Sequence, residues 1–307
     1  MARRALKFLT AVTYSVADLV TTETAWRDHL GFCTVDRGTI PDELSEAWGA
    51  PASAGQPFCL MRPESGAQVF LRFVETGEPY PFGPPGHYGW CATEFLVRDP
   101  DALARRLEHS PFRRIAGPGD LFPRPKAPRA MQMIGPGEEI VYFTRILPGG
   151  SQYGMKGAQS DVDRPFIVPV GGPSMKAMQA FYCDTLGLRR LEPMAFINPI
   201  IAHTCGAPPS TIIPTAIAPL PGRRFLLEMD ELPPTAEPRP RRDGQLPPGM
   251  AMVSFLTDDL DAVEAEFRSP PAALQRTPYD GRRVAVITGP AGEWLELIED
   301  PSVHKDG

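Results

Sequence analysis

Apolar residues fall into short strand-like runs over residues 8–16, 69–73, 92–97, 139–144, 166–170, 225–229 and 294–298. The clearest has Val69, Leu71 and Phe73 alternating with Gln68, Phe70 and Arg72, the period of a strand with one face on a core. Between the runs the pattern predicts helices over 18–30, 101–109 and 174–186. Gly31 stands where the first would end in a left-handed residue, and Ser174 where the third would begin with a capping hydroxyl.

The pattern is written twice. Trp26-Arg27-Asp28-His29-Leu30-Gly31-Phe32 returns as Tyr182-Cys183-Asp184-Thr185-Leu186-Gly187-Leu188, and Gly49-Ala50-Pro51 returns as Gly206-Ala207-Pro208. The run from Val69 to Glu75 recurs from Phe225 to Glu231, Phe95-Leu96-Val97 recurs as Phe255-Leu256-Thr257, and Gly135-Pro136 recurs as Gly289-Pro290. Landmarks in one order at nearly constant displacement mean a tandem duplication. The expected domains are 1–150, with units over about 6–80 and 88–148, and 164–302, with units over about 164–231 and 249–300. Residues 148–164 read as the connection between halves and the proline-rich 232–248 as a solvated linker; a second proline-rich stretch, 110–129, reads as a lid or surface loop.

Residues 180–188 resemble the helix signature of the vicinal oxygen chelate superfamily, which includes glyoxalase I, bleomycin-resistance proteins and extradiol dioxygenases, and residues 26–32 carry the same signature. The resemblance implies an α+β fold of four βαβββ units, paired into two half-open barrels whose inner faces cup a ligand. In catalytic members it implies a divalent metal held by His or Gln near the start of first strands and by Glu in closing strands. Those positions fall here on Ala11, Ala92, Pro165 and Met252, and on Phe70, Val141, Leu226 and Glu296. Only Glu296 matches, so no metal ligand set and no cofactor are expected; a divalent metal on non-standard ligands remains the open alternative.

The same alternation that buries Leu71 turns Arg72 to the other face, and its repeat equivalent is Glu228. An inward arginine suits an anionic oxygen, and an inward glutamate suits proton transfer. Glu296 shares its face with Trp294 and Ile298 and stands at the ligand position that the resemblance implies. Glu296 and Glu228 are therefore the expected catalytic residues, with Arg72, His203, Glu94, Glu139 and Trp294 as substrate-binding candidates. The expected ligand is a small aromatic or carboxylated organic molecule, handled by a lyase, isomerase or dioxygenase-like activity. The alternative is a binding or resistance protein without turnover.

Composition narrows the partners. A net charge of -6 without a basic patch threaded by aromatics argues against nucleic acid, and no apolar run is long enough for a membrane span. Five cysteines without paired spacing read as reduced thiols of a cytoplasmic protein, and a homodimer is left open.

Overall fold

The computed structural model describes residues 5–77, 79–80, 83 and 86–306; the basic start at Arg3 and Arg4 lies outside them. Unit one comprises β1 (Phe8–Val16), α1 (Leu19–Leu30), β2 (Phe32–Thr39), α2 (Asp42–Ala47), β3 (Pro57–Pro63) and β4 (Phe70–Glu75). A short β5 (Gly89–Trp90) precedes unit two, which has β6 (Thr93–Val97), α3 (Pro100–Arg106), β7 (Arg113–Asp120), β8 (Arg129–Ile134) and β9 (Ile140–Arg145). Unit three has β10 (Val162–Gly172), α4 (Met175–Gln179), β11 (Met194–Ile197), α5 (Pro199–Thr204), β12 (Ile212–Pro219) and β13 (Leu226–Glu231). Unit four has β14 (Gly249–Thr257), β15 (Ala272–Ala273), β16 (Arg283–Thr288) and β17 (Trp294–Glu299), its helix reduced to the single turn Leu260–Ala262.

Local chemistry explains the element ends. Asp18 caps α1 by accepting from the Thr21 amide, Ser174 caps α4 through Ala177, and α1 ends at Gly31 with φ 72°, a conformation that a Cβ would strain. Where a straight helix over 174–186 was expected, α4 loosens into a π-helical turn over Ala180–Thr185. The 110–129 segment is not a lid: β7 lies within it and pairs antiparallel with β8, which follows it.

The sheets do not follow the halves of the repeat. One runs β15-β16-β17-β14-β1-β4-β3-β2, joining unit one to unit four; the other runs β11-β12-β13-β10-β6-β9-β8-β7, joining unit three to unit two. The seams are antiparallel pairs of first strands, with Phe8 opposite Leu256 and Ser15 opposite Gly249 in one, and Ile167 opposite Glu94 in the other. The expectation that 1–150 and 164–302 each complete their own half-barrel is thereby corrected. Any first strand offers the same free edge to any other, and the direct connection from β9 to β10 makes units two and three neighbours.

The halves are still held together, behind the sheets. Trp26 of α1 donates its indole N–H to Glu139 Oε1 at 2.6 Å, just before β9, and its repeat equivalent Tyr182 donates its hydroxyl to Glu293 Oε1 at 2.6 Å, just before β17. Trp26 is fully buried edge-on against Phe32 at 5.1 Å, so truncating it to alanine would cost about 3–5 kcal/mol. One apolar core runs continuously between sheets and helices through Val12, Leu71, Phe95, Phe143, Val168 and Phe255. No helix among the described residues is long and apolar enough to cross a membrane.

Candidate functional site

Each sheet curls around a cup, and strand register places four inward residues at its middle. In the cup of units one and four these are Thr13 opposite Arg72 and Ser254 opposite Glu296. In the cup of units two and three they are Pro169 opposite Glu228 and Glu94 opposite Tyr142. Val141, expected at a ligand position, faces the helices and belongs to the core.

The cup of units one and four is filled by the chain itself. Trp48, just after α2, and Tyr279, in the segment between β15 and β16, are both buried within it beside Leu60, Met252 and Val286. Glu296 is wholly buried: Oε1 accepts from Trp48 Nε1 and from the Tyr279 hydroxyl, each at 2.6 Å, while Oε2 accepts from the Ser254 hydroxyl. Arg72 lies 3.6 Å from Glu296 Oε2 and donates to Thr13 Oγ1 at 3.1 Å and to Tyr279 Oη at 2.8 Å. Its guanidinium lies 5.0 Å from the Trp48 ring centre and 5.5 Å from that of Tyr279. Burial works against the charge on Arg72, but Tyr279 and Glu296 outweigh it and hold the guanidinium protonated more firmly than in free arginine. Burial pushes the Tyr279 phenol well up, so it remains a donor.

Glu296 and Arg72, each read as facing inward but expected in separate halves, meet in one cup, where the apolar surroundings of Glu296 are broken by four polar partners. Neither Arg282 nor Arg283 pairs with it. Arg282 engages Asp280 and Asp300, and Arg283 engages Glu299 and Asp261. Trp294 belongs to the same apolar filling, with the Arg268 guanidinium 3.6 Å from its ring centre.

The cup of units two and three opens onto a cavity of about 100 Å³. Tyr142, Pro169, Glu228, Asp230 and Cys91 line it from the sheet, and Ile200, Ile201 and Thr204 of α5 line it from above. Glu228 and Asp230 lie two apart on one face of β13 and share a hydrogen bond, while Asp230 Oδ1 also accepts from Thr215 Oγ1 at 2.6 Å. Burial, then the negative charges of Asp230 and Glu94, push the Glu228 carboxyl well above the usual range; burial brings Asp230 to about 6. Two carboxyls in contact cannot both ionise cheaply, so Glu228 keeps its proton and Asp230 accepts it. Burial alone carries Glu94 to about 7. Burial also raises the Tyr142 phenol, with Glu228, Asp230 and Glu94 adding to the effect, and pushes the Cys91 thiol up to about 12.

The rim carries the cations. Arg239 lines the cavity, spans the carbonyls of Trp90, Pro248 and Met250 at 2.5–2.9 Å, and lies over the Tyr80 ring at 5.2 Å. Residues 232–248 are therefore a strap that fastens the two sheets, not a solvated linker. His87 also lines the cavity; burial, then Arg239, lower its pKa.

Glu228 and Glu94, each read as facing inward but expected in separate halves, are brought to one cup. Glu139 also lines the cavity, with its carboxyl engaged by Trp26 in the helix contact described above. His203 is exposed on α5 and does not line the cavity as Ile200, Ile201 and Thr204 do. Sequence reasoning missed Asp230 and Tyr142, although both were within reach: Asp230 follows Glu228 by one strand period, and Tyr142 is the repeat equivalent of Glu296. Trp48, Tyr279 and Arg239 come from irregular segments, where no periodicity marks direction.

A divalent metal, which the resemblance implies, finds no fitting ligand set. The middle of one cup holds its own guanidinium. In the other, Pro169 and Tyr142 interrupt the carboxylates, and among the described residues no group of three or more His, Cys, Asp and Glu is placed to hold a metal. Glu296 lies in the other cup and His203 outside the cavity lining, so the non-standard set is not assembled.

No protein-family model matches the chain, and no curated protein matches it in sequence. Among solved structures it is similar to glyoxalase I from Zea mays, with 14% identity and a TM-score of 0.63 over 97% of this chain and 96% of that one. It is also similar to a candidate dioxygenase from Bacillus subtilis, with 10% identity and a TM-score of 0.61 over 97% and 87%. At such identities the likeness establishes architecture and leaves chemistry to the residues. Four βαβββ units in two curled sheets, matched along nearly the whole of maize glyoxalase I, give this chain the two-domain fold seen in that protein.

Proposed function

We propose that the protein binds a small organic molecule in the cup of units two and three and moves a proton on it without a metal, as an isomerase or lyase does. The observation that carries this reading is the hydrogen-bonded Glu228 and Asp230 pair in the wall of the cavity. A carboxyl that keeps its proton beside a carboxylate with a pKa near 6 forms an acid and a base poised close to neutrality. In that chemistry Asp230 would take a proton from carbon and Glu228 would return one to the neighbouring atom, with Tyr142 donating to a developing oxyanion. Glu296 and Arg72, expected to share this work, are committed to each other in the closed cup.

The lining favours one ligand class over another. Ionised Asp230 in the cavity wall repels a carboxylate, so the carboxylated ligand expected from Arg72 gives way to a neutral polar molecule or a protonated amine.

Ligand-observed NMR with a library of small neutral, amine-bearing and carboxylate-bearing compounds tests this reading, followed by deuterium uptake into the C–H positions of each hit in D2O. Neutral or amine hits should exchange deuterium with the wild-type protein and cease to do so with Asp230→Asn while still binding. Hits that bind without exchange would support the binding alternative, in which the same pair only orients the ligand. Carboxylate hits, or hits indifferent to both Glu228→Gln and Asp230→Asn, would sink the assignment of this cup.

A further inference from the structure

The cup of units one and four departs furthest from what its fold implies. Its middle holds one full positive and one full negative charge, both buried, with Arg72 1% exposed and Glu296 0%. Burying an ion pair is costly unless every donor and acceptor finds a partner. Here nearly all do: the carboxylate receives Trp48, Tyr279, Ser254 and Arg72, and the guanidinium reaches Thr13 and Tyr279 besides. The cation also has the geometry of a bound guest. Its plane lies near two aromatic rings contributed by opposite ends of the sheet, Trp48 from unit one and Tyr279 from unit four.

The covering segments are pinned to each other over it. Arg268 donates to the carbonyls of Trp48 and Gly49 at 3.2 and 3.1 Å, Ser269 donates to the Ala47 carbonyl at 2.6 Å, and Arg276 grips Asp36. The cup is therefore sealed around its charge by segments of both units.

We infer that the Arg72 guanidinium is the resident cation of this cup, supplied by the chain in place of any exogenous ion, and that the walls around it form a latent receptor for a planar organic cation of the guanidinium class. The inference is independent of the function proposed for the other cup. It explains why the cup keeps Glu296 and the polar Thr13, Ser254 and Tyr279 although no substrate can enter: the walls are matched to a guest carried on β4. A lysine would keep the charge but lose the planar fork and the approach to two rings.

The test is chemical rescue in the full-length protein. Arg72→Ala should lower Tm by on the order of 10 °C, because Glu296 is left buried without its counter-charge. Methylguanidinium at millimolar concentration should restore roughly 3 °C of this when present at tenfold its Kd, while leaving the wild-type Tm unchanged. N-methylurea, neutral and of similar shape, should restore nothing. Rescue absent, or equal for methylguanidinium and N-methylurea, overturns the inference. If Arg72→Ala does not fold, Arg72→Met/Glu296→Gln decides: with neither charge left it should fold and respond to neither compound. A double variant as unfolded as the single one overturns the inference too.

Discussion

Raising the pH from 5 to 8 should destabilise this protein, and the buried carboxyls give the size of the effect. Glu94, Glu139 and Glu293 each sit at about 7, raised from 4.5 primarily by burial. A carboxyl whose folded pKa is raised contributes stability that is complete below its unfolded pKa and is lost as pH rises through the folded one. Each glutamate therefore loses up to about 3 kcal/mol between pH 4.5 and 7. Relaxation and water entry reduce such figures, yet a third of that from three residues is still about 3 kcal/mol, a large part of a typical 5–15 kcal/mol. Asp36 and Glu299 act in the opposite sense: hydrogen bonds from Arg276 and Arg283 lower their pKa values, so their contribution disappears only as pH falls below the ordinary carboxylate range. Stability should peak near pH 5 and decline on both sides.

The assay is the urea midpoint at fixed ionic strength from pH 4 to 8.5, for wild type and for Glu139→Gln/Glu293→Gln. Glutamine keeps an oxygen to accept from Trp26 and Tyr182 and cannot ionise, so the double variant should flatten the decline between pH 5 and 7.5. A midpoint that rises or stays level over that interval in the wild type would refute the reasoning. So would a decline of equal slope in the double variant.

Two further outcomes follow from the closed cup and the strap. Trp48→Phe should cost about 1–3 kcal/mol by withdrawing a buried donor from Glu296, and Trp48→Ala about 3–5 kcal/mol by adding a cavity; no loss for Trp48→Phe on denaturation would deny the hydrogen bond its role. Arg239→Ala leaves the carbonyls of Trp90, Pro248 and Met250 without their shared donor, so amide exchange over residues 232–250 should accelerate while β1 stays protected; unchanged exchange in the strap would show that Arg239 does not pin it.

The sequence alone determined the units, because their signals are local. A nine-residue strand-like run makes β1, a capping aspartate and a left-handed glycine bound α1, and duplication of both declares four similar units. It also determined which way Arg72, Glu94, Glu228 and Glu296 point, since strand period depends on nothing outside the strand. The pairing of units was decided only in three dimensions. Every first strand presents a compatible edge, and the choice of unit four for unit one rests on packing summed over whole sheets. That choice separated Glu296 from Glu228 and delivered Arg72 to Glu296, turning two expected catalytic residues into a buried ion pair and a cavity-wall acid. Trp48 and Tyr279, which close one cup, and Arg239, which straps the other, come from irregular segments whose side chains acquire direction only from the surfaces they meet. Tertiary packing thus decided which cup is core and which is open.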